Sequence, residues 1–170
     1  PPPPPPPAPV AGPLRTAPAE APLEVAPRGR AYFEEEARHS DPHRRRRAVR
    51  MLEAYDRQDP VRATPYPVQA VRFGQDLTLV ALGGEVVIDY ALRLKRAFPG
   101  ENLIVAGYSR EVMCYIPSRR VLREGGYEAV ESMIYYGQPG PFLESVEETI
   151  VSAVGRVMEA VGAAPGDPPD

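Results

Sequence analysis

The apolar run Leu77-Thr78-Leu79-Val80-Ala81-Leu82, ending in Gly83-Gly84-Glu85, constrains the fold more than any other feature of this chain. The run has strand length. A helical pattern begins immediately after it, and a second apolar run, Asn102–Ala106, follows. A strand-helix-strand unit of this kind joins parallel neighbours by a right-handed crossover. Both strand ends then lie on one edge of the sheet, where open α/β sheets bind ligands. Glu85 and the loop Gly107–Tyr115 are therefore expected to converge on one site.

The flanking patterns predict the remaining elements. Tyr66–Phe73 reads as a strand, and Gly74-Gln75-Asp76 turns it into the next as an antiparallel hairpin. The crossover helix is expected over Val86–Phe98, with Val87, Tyr90, Ala91, Leu94 and Phe98 buried. Arg93, Lys95 and Arg96 suit the negative end of its dipole, and Pro99-Gly100 stops it. Upstream, Arg30–Arg38 suggests a short helix. Asp41-Pro42 begins a longer one to about Arg57, with a capping acid followed by proline at the first helical position. Downstream, a helical turn is expected at Arg119–Arg123 and a long helix from about Pro141 to Val161. The fold class that results is α/β, a mixed sheet with helices packed on it.

Composition sets the boundaries. More than half of the 23 prolines fall in the first 27 residues. Residues 1–29 are therefore expected to be a proline-rich, disordered linker, residues 30–162 the folded domain, and residues 163–170 a disordered tail. A net charge of −3 with a pI near 5.5 argues against a general nucleic-acid binder. No apolar run approaches the ~18 residues of a membrane span, and no signal peptide is visible. One cysteine, Cys114, excludes an internal disulfide and a cysteine-based zinc cluster.

Three constellations could carry chemistry. Glu85 is either a carboxylate stabilised by the helix dipole or a functional group that the two glycines leave room to approach. The loop Tyr108–Tyr115 holds phenols that either cap the core or ligate and donate protons. Tyr127-Glu128 and Tyr135-Tyr136 lie in a glycine-flanked segment that reads as packing or as a loop draped over a site. His39 and His43 are separated by Asp41-Pro42, so they do not share a helix face and read as solvated loop residues. Arg44–Arg47 reads as a solvated face paired with Glu34–Glu36. No dinucleotide fingerprint or GxSxG elbow is present, and Cys114 has no evident histidine partner.

Two blocks of this sequence resemble the neutral/alkaline, non-lysosomal ceramidase family, in particular bacterial ceramidase-like proteins. The first is Leu77–Glu85 with the arginine-bearing helix after it. The second runs from Ala106-Gly107-Tyr108 through Tyr115-Ile116-Pro117-Ser118 and Gly126-Tyr127-Glu128 to Ser132-Met133-Ile134-Tyr135-Tyr136-Gly137. The resemblance covers about Tyr66 to Val161 and corresponds to the C-terminal part of the family's catalytic domain. Pro117-Ser118 stands where the family has Thr-Thr. The resemblance implies a zinc amidohydrolase acting on the N-acyl bond of ceramide or a related lipid amide. Glu85 and Tyr115 match its glutamate and tyrosine metal ligands, and Tyr127 matches a tyrosine near the scissile amide. The family's histidine ligands belong to upstream segments, and His39 and His43 do not match them. The expectation is therefore a portion of a larger catalytic domain, inactive alone, whose partners are a lipid amide and the remainder of that domain. The resemblance suggests a secreted or membrane-surface setting. The competing expectation is a non-catalytic α/β binding or assembly module tethered by the proline segment.

Overall fold

In the computed structural model of this protein, residues 9–166 are described. Four strands form a mixed sheet in the order β1-β2-β3-β5, where β1 is Leu14–Glu24, β2 Ala63–Phe73, β3 Leu77–Leu82 and β5 Leu103–Ala106. The expected hairpin is β2–β3, antiparallel with Phe73 opposite Leu77. The expected crossover pairs β3 with β5 in parallel, Thr78 opposite Leu103 through Ala81 opposite Ala106. Helix α3, Ile88–Ala97, connects them. A second, two-stranded parallel ladder joins β4, Glu85–Val86, to β6, Tyr115–Ile116.

Strand alternation decides which face is buried. Tyr66, Val68 and Ala70 of β2 and Val80 and Leu82 of β3 point to one side and are fully buried. Tyr90, Leu94 and Phe98 of the α3 region cover that side, together with Val146, Ile150, Val154 and Val157 of α6, Val146–Ala160. A smaller cluster holds a helical hairpin together. Phe33 of α1, Arg30–Glu36, packs on Ala48 and Met51 of α2, Pro42–Asp56. The Asp41 carboxylate caps α2, accepting from the His43 N–H at 2.7 Å. Two short helices complete the chain: α4, Arg119–Glu124, and α5, Ser132–Tyr136, with a single π-helical turn, Tyr127–Glu131, between them.

The structure corrects the expected boundaries in three places. Residues 14–24 are not linker but the edge strand β1, paired along its whole length with β2 from Leu14 opposite Phe73 to Glu24 opposite Ala63. Ala17, Ala21, Leu23 and Val25 point into the core, while Pro18, Glu20, Pro22 and Glu24 face outward. On an edge strand every second N–H points away from the sheet, so proline at those positions forfeits no ladder bond. Residues 1–8 of the expected linker lie outside the described residues. The last helix begins at Val146 rather than Pro141 because residues 141–143 run beside the end of β1. The Ala26 N–H donates to Pro141 O at 2.8 Å and the Leu143 N–H to Glu24 O at 2.9 Å. Of the expected tail, Ala163 is buried and the Gly166 N–H donates to Ala97 O at 3.1 Å, while residues 167–170 lie outside the described residues.

Candidate functional site

The site forms where β3 runs out. After Leu82 the chain turns through Gly83 and Gly84, the latter at φ +71°. A side chain at Gly84 would stand 2.7 Å from the Cys114 carbonyl oxygen and 2.7 Å from Ile116 Cγ1, so only glycine allows this approach. The approach creates the β4–β6 ladder, in which Glu85 is the direct register partner of Tyr115. Four backbone bonds stitch the loop 107–115 to the strand end. Gly84 donates to Glu111 O at 2.7 Å and Glu85 to Cys114 O at 2.9 Å, while Tyr108 donates to Gly84 O at 2.8 Å and Ser109 to Leu82 O at 3.0 Å. They hold Tyr108 and Arg110 at φ +54° and +69°, conformations that ordinary residues adopt only when their surroundings impose them.

Glu85 is the centre of a tyrosine cluster. Tyr108 donates its hydroxyl to Glu85 Oε2 at 2.7 Å, and Tyr136 donates to Oε1. Tyr115 stands beside the same carboxylate. Its ring packs edge-on against Tyr127 at 5.7 Å between centroids, and Tyr127 in turn lies 6.3 Å from Tyr135. Donation by Tyr136 first, then by Tyr108 and Tyr115, holds the Glu85 carboxyl below the usual carboxylate range. The reciprocal effect appears on the phenols. The Glu85 carboxylate pushes Tyr115 up to about 12 and raises Tyr108 and Tyr136. A negative carboxylate ringed by protonated phenols is therefore the state at neutral pH. Among the described residues Glu85 has no ion-pair partner.

The sequence-predicted residues Glu85, Tyr115 and Tyr127 thus come together. The histidines do not join them as a ligand pair. His39 Nδ1 accepts from the Asp41 N–H at 3.0 Å, and the His43 ring packs on Tyr135 at 4.9 Å. Cys114 is fully buried, and burial pushes its thiol up to about 12, which makes it an inert packing residue. Tyr136 is the partner of Glu85 that periodicity could not single out. It lies 51 residues downstream and reaches the carboxylate because the segment after Gly126 is helical rather than a draped loop.

A zinc centre takes three or four protein donors, commonly with nitrogen or sulfur among them. Glu85 and its phenols are oxygen donors only, and among the described residues no three His, Cys, Asp or Glu side chains gather as a metal group. These residues by themselves do not complete a zinc shell. No helix among the described residues is long and apolar enough to cross a membrane. No family model, no curated protein and no solved structure matches this chain.

Proposed function

We propose that this chain contributes the carboxylate and phenol side of a ceramidase-like zinc amidohydrolase centre, which hydrolyses the N-acyl amide of ceramide or a related lipid amide. Glu85 and Tyr115 would be its oxygen ligands, and histidines from the rest of that catalytic domain would complete the shell. The observation that carries this reading is the in-register pairing of Glu85 with Tyr115 across two adjacent strand ends, on a carboxylate that has no ion-pair partner among the described residues. When bound, zinc would supply a water of lowered pKa and would polarise the amide carbonyl.

The chain's own residues have definite tasks in this reading. Tyr108 and Tyr136 each occupy one oxygen of Glu85, which fixes the carboxylate plane and leaves lone pairs free on both oxygens. Tyr127 is half exposed beside Tyr115, where its hydroxyl is available to the substrate amide and to negative charge developing on the carbonyl oxygen. The reading is tested in the complete gene product that carries this chain, by metal analysis and hydrolysis of N-acylsphingosine. Stoichiometric zinc and activity, both lost in Glu85→Gln and in Tyr115→Phe, are expected. Zinc and activity that survive Glu85→Gln, or a gene product with neither, would overturn the assignment and leave the non-catalytic module as the better account.

A further inference from the structure

The five arginines of α2 fall into three groups with different surroundings, and the expected solvated face is interrupted by Arg47, which is buried. Arg44 and Arg47 both pair with Glu36, Arg44 at 2.7 Å, and Arg47 also donates to the Tyr32 hydroxyl at 3.1 Å. Arg45 donates to the carbonyls of His39 and Ser40 at 2.9 and 2.6 Å, closing the start of the helix. Arg46 and Arg50 are different. They are four residues apart, hence on one helix face, both are exposed, and neither forms an ion pair among the described residues. Glu53, one turn beyond Arg50, is not paired with it. Two like charges at this spacing repel each other, so the arrangement carries a cost that an anion would relieve.

These two guanidinium groups border a cleft of about 270 Å³ between α2 and α5, lined also by Arg47, Tyr135, Tyr136 and Gly137. Arg46 Nη2 makes only long contacts, 3.4 Å to His43 Nδ1 and 3.4 Å to Tyr135 O. Gly137, at φ +70°, leaves space that Arg50 Nη1 borders, and a side chain there would stand 3.5 Å from that nitrogen. Most of the N–H donors of both groups are therefore unused. A guanidinium presents five donors in a planar fork that matches phosphate and sulfate oxygens. Tyr136 links the two regions, since it lines this cleft while its hydroxyl donates to Glu85.

We propose that the α2–α5 cleft is an oxyanion-binding site in which Arg46 and Arg50 hold a phosphate or sulfate group, either as a free ion or as the ester group of a larger molecule. The site depends on no metal and shares only Tyr136 with the groups bonded to Glu85.

The test is an NMR titration of this chain with inorganic phosphate and, separately, with phenyl phosphate, each at constant ionic strength. Saturable shifts of the Tyr135, Tyr136 and Gly137 amides are expected. Charge-assisted hydrogen bonds of this kind predict that Arg46→Gln and Arg50→Gln each weaken binding by about tenfold or more. Arg156→Gln, an exposed arginine on α6, is expected to leave binding unchanged. Tighter binding of phenyl phosphate than of inorganic phosphate supports an esterified ligand packed against the tyrosines, and equal binding supports the free ion. Shifts that never saturate, or an equal loss in Arg156→Gln, would overturn the proposal as general charge screening.

Discussion

Glu101→Ala tests whether the buried ion pair beneath the sheet holds the frame on which the site is mounted. The Glu101 carboxylate accepts from Arg72 Nη2 at 2.8 Å and from Thr78 Oγ1 at 2.8 Å, and Arg72 Nη1 donates to the Gly162 carbonyl. The cluster therefore ties β2, the start of β3, the turn before β5 and the end of α6 together. Only 10% and 9% of the two charged side chains is exposed, and Arg72 Nε already lacks a partner. Truncating Glu101 leaves a buried guanidinium with a single carbonyl acceptor. Breaking one side of a buried pair costs about 3–5 kcal/mol. That is a large share of the ~5–15 kcal/mol that holds a typical domain folded. For a domain of this size the loss corresponds to about 6–20 °C in Tm. Urea unfolding followed by circular dichroism and tyrosine fluorescence measures it, since the chain has no tryptophan. The companion is the double variant Arg72→Met/Glu101→Leu, which removes both charges and should recover most of the loss. A cost for Glu101→Ala below about 1 kcal/mol, the range of exposed pairs, would mean that the pair does not hold the frame. So would a double variant as unstable as the two single losses added together.

Three further outcomes follow from particular contacts. Gly84→Ala should destabilise by about 2–5 kcal/mol in urea unfolding, from a left-handed backbone and a clash with Cys114 O, and should abolish cross-strand NMR contacts between Glu85 and Tyr115. Tyr66→Phe should leave stability unchanged or raise it by about 1 kcal/mol, because the fully buried Tyr66 hydroxyl has no partner to lose. Burial alone pushes the Glu36 carboxyl up, but donation by Arg47 and Arg44 outweighs it and holds the carboxyl below its ordinary value of 4.5. A depressed carboxyl contributes stability above the ordinary value and loses it as pH falls through the folded one. The Tm difference between the native chain and Glu36→Gln should therefore be constant from neutral pH to about 5 and shrink as pH falls below the ordinary value of 4.5; a difference that does not shrink at all on acidification, or that grows, would contradict this.

Local pattern was enough to read β2, β3, α2, α3 and β5, because each carries a strong period and its own stop signal. Gly74-Gln75-Asp76 closes the hairpin, Asp41-Pro42 opens α2, and Pro99-Gly100 ends the crossover helix. A parallel crossover leaves little freedom in where strand ends lie, so the nearness of Glu85 to the Tyr115 loop is legible in the same pattern. β1 was hidden by its prolines. The alternation of Ala17, Ala19, Ala21, Leu23 and Val25 was present in the sequence, but reading it as a strand required knowing that β2 had a free edge.

What the sequence determined alone was the order of strands and helices around the crossover and the identity of the carboxylate at its end. Those follow from interactions between residues near one another in the chain. The tertiary structure decided which of many tyrosines reach that carboxylate. Tyr136 donates to Glu85 while its neighbour Tyr135 packs against His43 and Tyr127, and Arg46 and Arg50 have no acidic partner among the described residues while Arg44 and Arg47 find Glu36. The helical period sends adjacent residues to different faces, but it does not say what each face will meet. Only the packing of α5 and α2 against their neighbours sends one side chain to the site and the next away from it.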